Sequence, residues 1–204
     1  KNQIFVITHS PEFVNWANLD GLARVWLNGP DSQISQISEE ILAKNERAAL
    51  VESLRDPRRR EVLFARGVAL VEGETEEAYL EALAPRLDID LDALGVSVIS
   101  VSGEQNYVPY LKYLKALSIP CKCQRDKCPK GIPDEWKPLF TYTDSEFEDY
   151  MKASGLEVLL EQAKDAVGTS KARWGRYCGE KIDITKVPPK HREFLGLIAS
   201  LPSR

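Results

Sequence analysis

The segment Leu70-Val71-Glu72-Gly73-Glu74-Thr75-Glu76 puts a carboxylate at the end of an apolar run, a glycine directly behind it, and a second carboxylate four residues on. Four residues is about one helical turn, so Glu72 and Glu76 can share a ligand if a helix starts between them. Hard divalent cations such as Mg²⁺ take oxygen ligands, often one or two carboxylates completed by water and phosphate. Acids that converge from separate loops therefore suit an ion that activates water against a phosphodiester. The competing reading of Glu74, Glu76 and Glu77 is electrostatic, because the dipole of a helix favours anions in its first turn.

Further acids follow. Asp126 comes directly after residues 121–125, which read as a strand, and Glu146, Glu148 and Asp149 open a stretch after residues 139–142. Ser145-Glu146-Phe147-Glu148 also fits the S-x-x-E pattern of a capping box, in which Glu148 would bond back to the Ser145 backbone. Lys171, Arg173 and Arg176, interleaved with Trp174 and Tyr177, have the chemistry to hold DNA phosphate while aromatic rings stack on unpaired bases. The run Arg58-Arg59-Arg60 reads as a solvated face. Cys121-x-Cys123-x4-Cys128 lacks the paired C-x-x-C knuckles and nearby histidine of a zinc site.

The elements that must position these acids alternate. Apolar runs at 68–71 and 96–101, the stretch 121–125, and a short run at 139–142 read as strands; residues 75–86, 107–117 and a segment beginning near Ser145 carry helical periodicity. Strands alternating with helices imply an α/β fold with a parallel sheet and right-handed crossovers. Ligands of such sheets sit beyond the carboxyl ends of the strands. Glu72 and Asp126 both fall at such ends, so two carboxylates distant in sequence should meet on one rim, with the third acidic stretch facing them.

The flanks read differently. Residues 4–7 look like a buried strand, 13–17 a short helix, and 23–27 a second strand closed by Asn28-Gly29-Pro30. Residues 38–65 are helical in pattern through Ile41, Leu42, Ala49, Leu50 and Leu54, interrupted at Asp56-Pro57. Beyond Gly168 come polar and basic positions, a helix near 174–180, and a closing helix at 190–201 after Pro188-Pro189.

A length of 204 residues allows one principal α/β core with modest appendages. No apolar run approaches the length that spans a bilayer as a helix, so a membrane protein is not expected. A net charge of −4 argues against binding nucleic acid by bulk attraction, although an enzyme that holds cations against phosphate needs acids anyway. Four cysteines without regular spacing fit a reducing cytoplasm better than a disulfide framework. A chain that opens on Lys1, with a strand at 4–7, is expected to be part of a longer polypeptide.

Taken together, Glu72-Gly73 after one strand and Asp126 after a later one resemble the Toprim domain shared by topoisomerases, bacterial primases and the OLD (overcoming lysogenization defect) family of nucleases. The longer form Glu72-Gly-Glu-Thr-Glu76, with Gly103 and Asn106 ahead of the second helix, is similar to the OLD nucleases rather than the topoisomerases. The chain departs from the family's Asp-x-Asp at one point, where Cys128 stands in place of the second acid; a thiol is a soft ligand poorly matched to Mg²⁺. Val6-Ile7-Thr8-His9-Ser10-Pro11-Glu12-Phe13 resembles the switch-histidine loop that ends an ABC-type ATPase domain, where His9 would sense a γ-phosphate. No G-x-x-x-x-G-K-[ST] phosphate loop is present, so ATP would be used only by the full-length protein.

The resemblance implies a Rossmann-like parallel sheet flanked by helices, with additional helical segments. It divides the chain into an ATPase remnant (1–35), a helical linker (36–66), a Toprim catalytic domain (67–185) and a C-terminal helix (186–204). It also implies a DNA endonuclease, with Glu72, Asp126 and Lys171 catalytic, Glu72, Glu76, Asp126, Glu148 and Glu146 binding one or two Mg²⁺ or Mn²⁺ ions, and Lys171, Arg173 and Arg176 on DNA. Phage defence, a helicase-like protein partner and a homo-oligomeric full-length assembly are further expectations. The alternatives are a non-catalytic DNA- or partner-binding Toprim module, or a topoisomerase- or primase-like enzyme, for which Tyr110 and Tyr142 are the candidate nucleophiles.

Overall fold

The structure is a computed structural model that describes residues 2, 4–15, 19–38, 40–127 and 131–201. Near the amino end, β1 (Ala23–Asn28) and β2 (Asp31–Gln36) form an antiparallel hairpin with Val25 opposite Ile34 and Asn28 opposite Asp31. Gly29, at φ 62°, supplies the left-handed residue of its turn. The polar sequence of β2 concealed this second strand. The strand expected at residues 4–7 does not form: Ile4, Phe5, Val6 and Ile7 are 57–100% exposed, and an extended segment without a pairing partner has nothing to hold it. The helix expected at 13–17 is instead a 3-10 turn over Pro11–Asn15, with residues 16–18 outside the described residues.

The pattern at 38–65 resolves into α1 (Lys44–Ser53), α2 (Pro57–Arg60) and a 3-10 turn at Glu61–Phe64. The break falls at Asp56-Pro57, where the Asp56 carboxylate accepts the Arg58 N–H and proline occupies the first helical position. The arginine run is not a solvated face as a whole. Arg60 is buried and donates to the Arg55 and Pro11 carbonyls, and Arg59 donates to the hydroxyls of Ser53 and Ser102, so only Arg58 is exposed. Long arginine stems tie this segment to its neighbours.

The central unit follows in the expected order: β3 (Gly67–Val71), α3 (Glu74–Leu83), the short α4 (Leu91–Leu94), β4 (Val96–Ser100), α5 (Tyr107–Ala116), β5 (Cys121–Arg125) and β6 (Phe140–Tyr142). The four strands are parallel, in the order β4-β3-β5-β6. All five residues of β3 are buried, as befits a central parallel strand covered on both faces. The twofold alternation of side chains splits its contacts: Val68 and Leu70 join the core made with α5, α1 and the chain around Leu19 and Ile37, while Ala69 and Val71 join the core on the other face.

That second core is roofed by α3 and by α6 (Phe147–Ala153), α7 (Glu157–Val167), α8 (Lys171–Lys181) and α9 (Pro189–Ala199). Helix α7 was not anticipated, and among its residues only Leu160 and Ala163 are buried. Helices α3 and α8 lie in very close contact and run in the same direction. A Cβ at Gly175 would stand 2.1 Å from the Thr75 carbonyl oxygen, and one at Gly179 would stand 2.5 Å from that of Tyr79. Among the described residues no helix is long and apolar enough to cross a membrane.

Candidate metal centre

Glu72 leaves β3 at its carboxyl end, and its backbone carbonyl accepts the Gly103 N–H at 3.1 Å, which fastens the loop after β4 to the first acidic motif. Asp126 leaves β5 at the same end of the sheet. The carbonyl of Arg125 just before it accepts the Thr143 N–H at 3.1 Å, which brings the chain leading to Glu146 and Glu148 against Asp126. Adjacent parallel strands thus deliver three stretches of acid to one rim. Gly73 is part of the arrangement, because a Cβ there would meet Glu76 Oε2 at 2.9 Å. The missing side chain leaves room for the Glu76 carboxylate to fold back over the turn.

The electrostatics carry the mark of that crowding. Burial pushes the Glu76 carboxyl up to about 7, and the negative charges of Asp126, Glu72 and Glu148 push the same way. Asp126 is pushed up to about 6, chiefly by burial and then by Glu72, Glu146 and Glu148, with Lys127 opposing. The five acids predicted as ligands therefore feel one another. The Tyr107 hydroxyl, which donates to the Gln124 carbonyl, is also raised, first by burial and then by Cys123, Glu72, Glu76 and Asp126.

The capping box that competes with a metal role for Glu148 does not form. Glu146 takes the N-cap position of α6 without a side-chain cap bond, and Thr143 Oγ1 donates to the Ser145 carbonyl at 2.9 Å. Glu148 is thereby left to the rim. Lys171 opens α8 one turn ahead of Gly175, which abuts Thr75 near the start of α3; this puts the exposed lysine at the rim end of the helix pair. Arg176 lies further down α8, 4.0 Å from Glu81, and so leads away from the acids, while Arg173 is exposed between the two.

Other sequence candidates fall elsewhere. Exposed His9 lines a hollow with Gly95, Val96 and Ser97, at the amino end of β4 and thus the opposite end of the sheet from Glu72. Tyr110 is 1% exposed with its hydroxyl 2.6 Å from that of Ser53, a poor situation for a nucleophile. Tyr142 stacks on Phe140 at 5.9 Å. Cys121 starts β5, at the far end from Asp126, and Cys128 lies outside the described residues.

Two residues that sequence reasoning passed over belong to the rim. Arg125, 8% exposed, has its Nε 3.9 Å from Glu72 Oε2, and its terminal nitrogen is paired with Glu104 from the loop after β4. An arginine at a strand end gives no signal of such burial. Among the described residues no group of three or more His, Cys, Asp or Glu side chains is arranged so that it could hold a metal ion. The donor set is nonetheless all oxygen, and two of its acids carry a charge penalty that a cation would relieve, so a hard divalent ion fits these residues.

Residues 63–127 match the family model described as "Overcoming lysogenization defect protein-like, TOPRIM domain". The fold is similar to the C-terminal region of the Burkholderia pseudomallei OLD protein, at 24% identity and a TM-score of 0.56, over 66% of this chain and 97% of that one. It is likewise similar to the C-terminal region of the Xanthomonas campestris pv. campestris OLD protein, at 22% identity and a TM-score of 0.57, over 70% and 96%. No curated protein matches the chain. Residues 63–127 are thus an OLD-like Toprim domain, and Toprim domains generally bind divalent metal ions.

Proposed function

We propose that this chain is the catalytic region of a divalent-metal-dependent DNA endonuclease that cleaves by phosphodiester hydrolysis, within a longer ATPase–nuclease polypeptide. The observation that carries the reading is the mutual electrostatic influence of Glu72, Glu76, Asp126 and Glu148, four acids delivered to one rim by β3, β5 and the segment after β6. Acids held this close resist ionising together unless a cation joins them.

Glu76 and Asp126, with Glu148 and Glu72 beside them, are the residues that would hold Mg²⁺ or Mn²⁺. The bound ion supplies an activated water and neutralises charge on the phosphate. Gly73 keeps the Glu76 carboxylate free to turn toward the ligand, and the bond from Gly103 to Glu72 fixes the strand end from which it departs. Lys171, at the rim end of α8, is positioned to meet a phosphate oxygen, and Arg173 extends the basic surface for the DNA backbone. His9 lies at the opposite end of the sheet from these acids, and the role the resemblance implies for it is nucleotide sensing in the full-length protein.

A second reading, a Toprim module that binds DNA without cutting it, is favoured by the arginine already set against Glu72. Supercoiled plasmid separates the readings. Nicked circles formed with Mg²⁺ or Mn²⁺, and lost with EDTA or in Glu72→Ala, support the nuclease. Bound but intact plasmid, equal for wild type and Glu72→Ala, supports the binding module; relaxed and covalently closed circles would make the protein a topoisomerase.

A further inference from the structure

Strand β4 is an end strand of the parallel sheet, and beyond it lies a groove of about 940 Å³. The β4 backbone alternates in what it offers there. The Gly95 carbonyl accepts the Arg66 N–H and the Val101 N–H donates to the Val71 carbonyl, so residues 95, 97, 99 and 101 turn their backbone groups toward β3. Val96, Val98 and Ser100 therefore turn theirs into the groove. The Ser100 N–H is already taken, because it donates to Glu77 Oε2 at 2.7 Å. Val96 and Val98 are left with an N–H and a C=O each on the outer edge, and among the described residues no strand pairs with it. Unpaired groups of this kind are a template for another extended chain.

The lining decides what kind of chain. Helix α3 contributes Glu77 and Glu81, the 3-10 turn after α2 contributes Glu61, and the segment leading into β4 contributes Asp88, Asp90 and Asp92; among the described residues Arg58 is the only basic side chain of the groove. Burial raises the Glu81 carboxyl, Arg58 and Arg176 lower it, and Asp92 raises it, so acids of α3 and α4 feel one another across the opening. A second copy set edge to edge would bring the same acids against these, and DNA would bring phosphates; charge opposes both. A peptide strand with lysine or arginine at alternate positions satisfies the open backbone groups and the acids together. We propose that the outer edge of β4 is a docking site for an extended basic segment of a partner protein, which adds a strand beside Val96 and Val98 and sets its cationic side chains against Glu61, Glu77, Glu81 and Asp92. This site is independent of the metal-dependent reading above.

The probe is a capped, fluorescently labelled peptide of alternating lysine and valine, titrated into the wild-type chain without metal, with hydrogen exchange read residue by residue by NMR. The expected result is saturable binding that slows exchange at the Val96 and Val98 amides and leaves Ser97 and Ile99, whose N–H groups already serve β3, unchanged. A peptide with glutamate in place of lysine, and the lysine peptide with its backbone nitrogens methylated, should each bind about tenfold more weakly or worse, the scale of one or two lost hydrogen bonds. A chain carrying Glu61→Lys and Asp92→Lys, both exposed, should melt like wild type and prefer the glutamate peptide; if it does not fold, the comparison of peptides on the wild-type chain decides. Equal affinity for the lysine and glutamate peptides overturns the proposal, as does binding that leaves Val96 and Val98 unprotected, or no binding at millimolar peptide. Protection of these two amides that grows with chain concentration alone would put a second copy on the edge, and protection induced by an oligonucleotide would put DNA there; either overturns it.

Discussion

Gly175 lies so near Thr75 that a Cβ on the glycine would stand 2.1 Å from the threonine carbonyl oxygen. Backbone-to-backbone contact of this kind locks α8 onto α3, the helix that begins just behind Glu72-Gly73 and carries Glu76. The close approach fixes the direction of both helices and brings Lys171 to the same rim as the acids.

Gly175→Ala is accordingly expected to force the two helices apart. Overpacking of this sort costs about 1–3 kcal/mol, and more where backbone must yield. Thermal melts should record a drop in melting temperature. Because the displaced helix carries Glu76, Mn²⁺ affinity should fall as well, and a variant that melts and binds like wild type would remove the helix pair from the account of the site.

Gly73→Ala makes the opposite prediction. The added Cβ would meet only the far end of the Glu76 side chain, at 2.9 Å, and the Gly73 backbone at φ −133° suits an alanine. Stability should therefore change by less than about 1 kcal/mol, within the range of tolerated substitutions. The Glu76 carboxylate must swing away, so Mn²⁺ affinity measured by calorimetry should fall severalfold. Unchanged affinity would show that Glu76 does not bind the ion from its folded-back position.

The acids at the rim make metal binding pH-dependent. Glu76 is raised from 4.5 to about 7 and Asp126 from 3.8 to about 6, so the fold favours their protonated forms. Their contribution to stability is full below about pH 4 and is lost as pH rises through 6 and 7 in the absence of metal. An ion must displace those protons. Mn²⁺ affinity should therefore climb between pH 5.5 and 7.5, with the metal-induced rise in melting temperature growing in step; a flat profile across that window would contradict the assignment of these two acids.

His191 sets a limit at the acid side. It is enclosed by Tyr79, Phe147 and Tyr150, has a buried Nδ1 without a hydrogen-bond partner among the described residues, and is lowered by burial from 6.5 to about 3. A histidine held neutral contributes stability that is complete above pH 6.5 and is lost as pH falls toward 3. By pH 4.5 the loss is roughly 2–3 kcal/mol at about 1.4 kcal/mol per pH unit. His191→Phe, which removes the orphaned nitrogen, should melt near the wild-type temperature at pH 7 and above it at pH 4.5. Parallel melting curves for the two proteins across that range would refute the assignment.

The sequence alone determined the sheet and its acidic edge. Residues 68–71 and 96–101 are apolar runs bounded by turn residues, 121–125 read as a strand, and 75–86 and 107–117 repeat their apolar positions at helical spacing, so β3, β4, β5, α3 and α5 were legible, and with them the placing of Glu72 and Asp126 at strand ends. Local chemistry also marked the break at Asp56-Pro57. It misled at residues 4–7, where β-prone side chains have no partner strand; at Ser145 the competing capping pattern does not form, and Thr143 Oγ1 donates to the Ser145 carbonyl instead. Only the tertiary structure decided that β5 lies between β3 and β6, that Gly175 meets Thr75, and that Arg125 is enclosed between Glu72 and Glu104. The reason is physical: periodicity reports which side of an element is buried, whereas a charged side chain's partners come from strand order and loop closure, which bring together residues that share no local pattern.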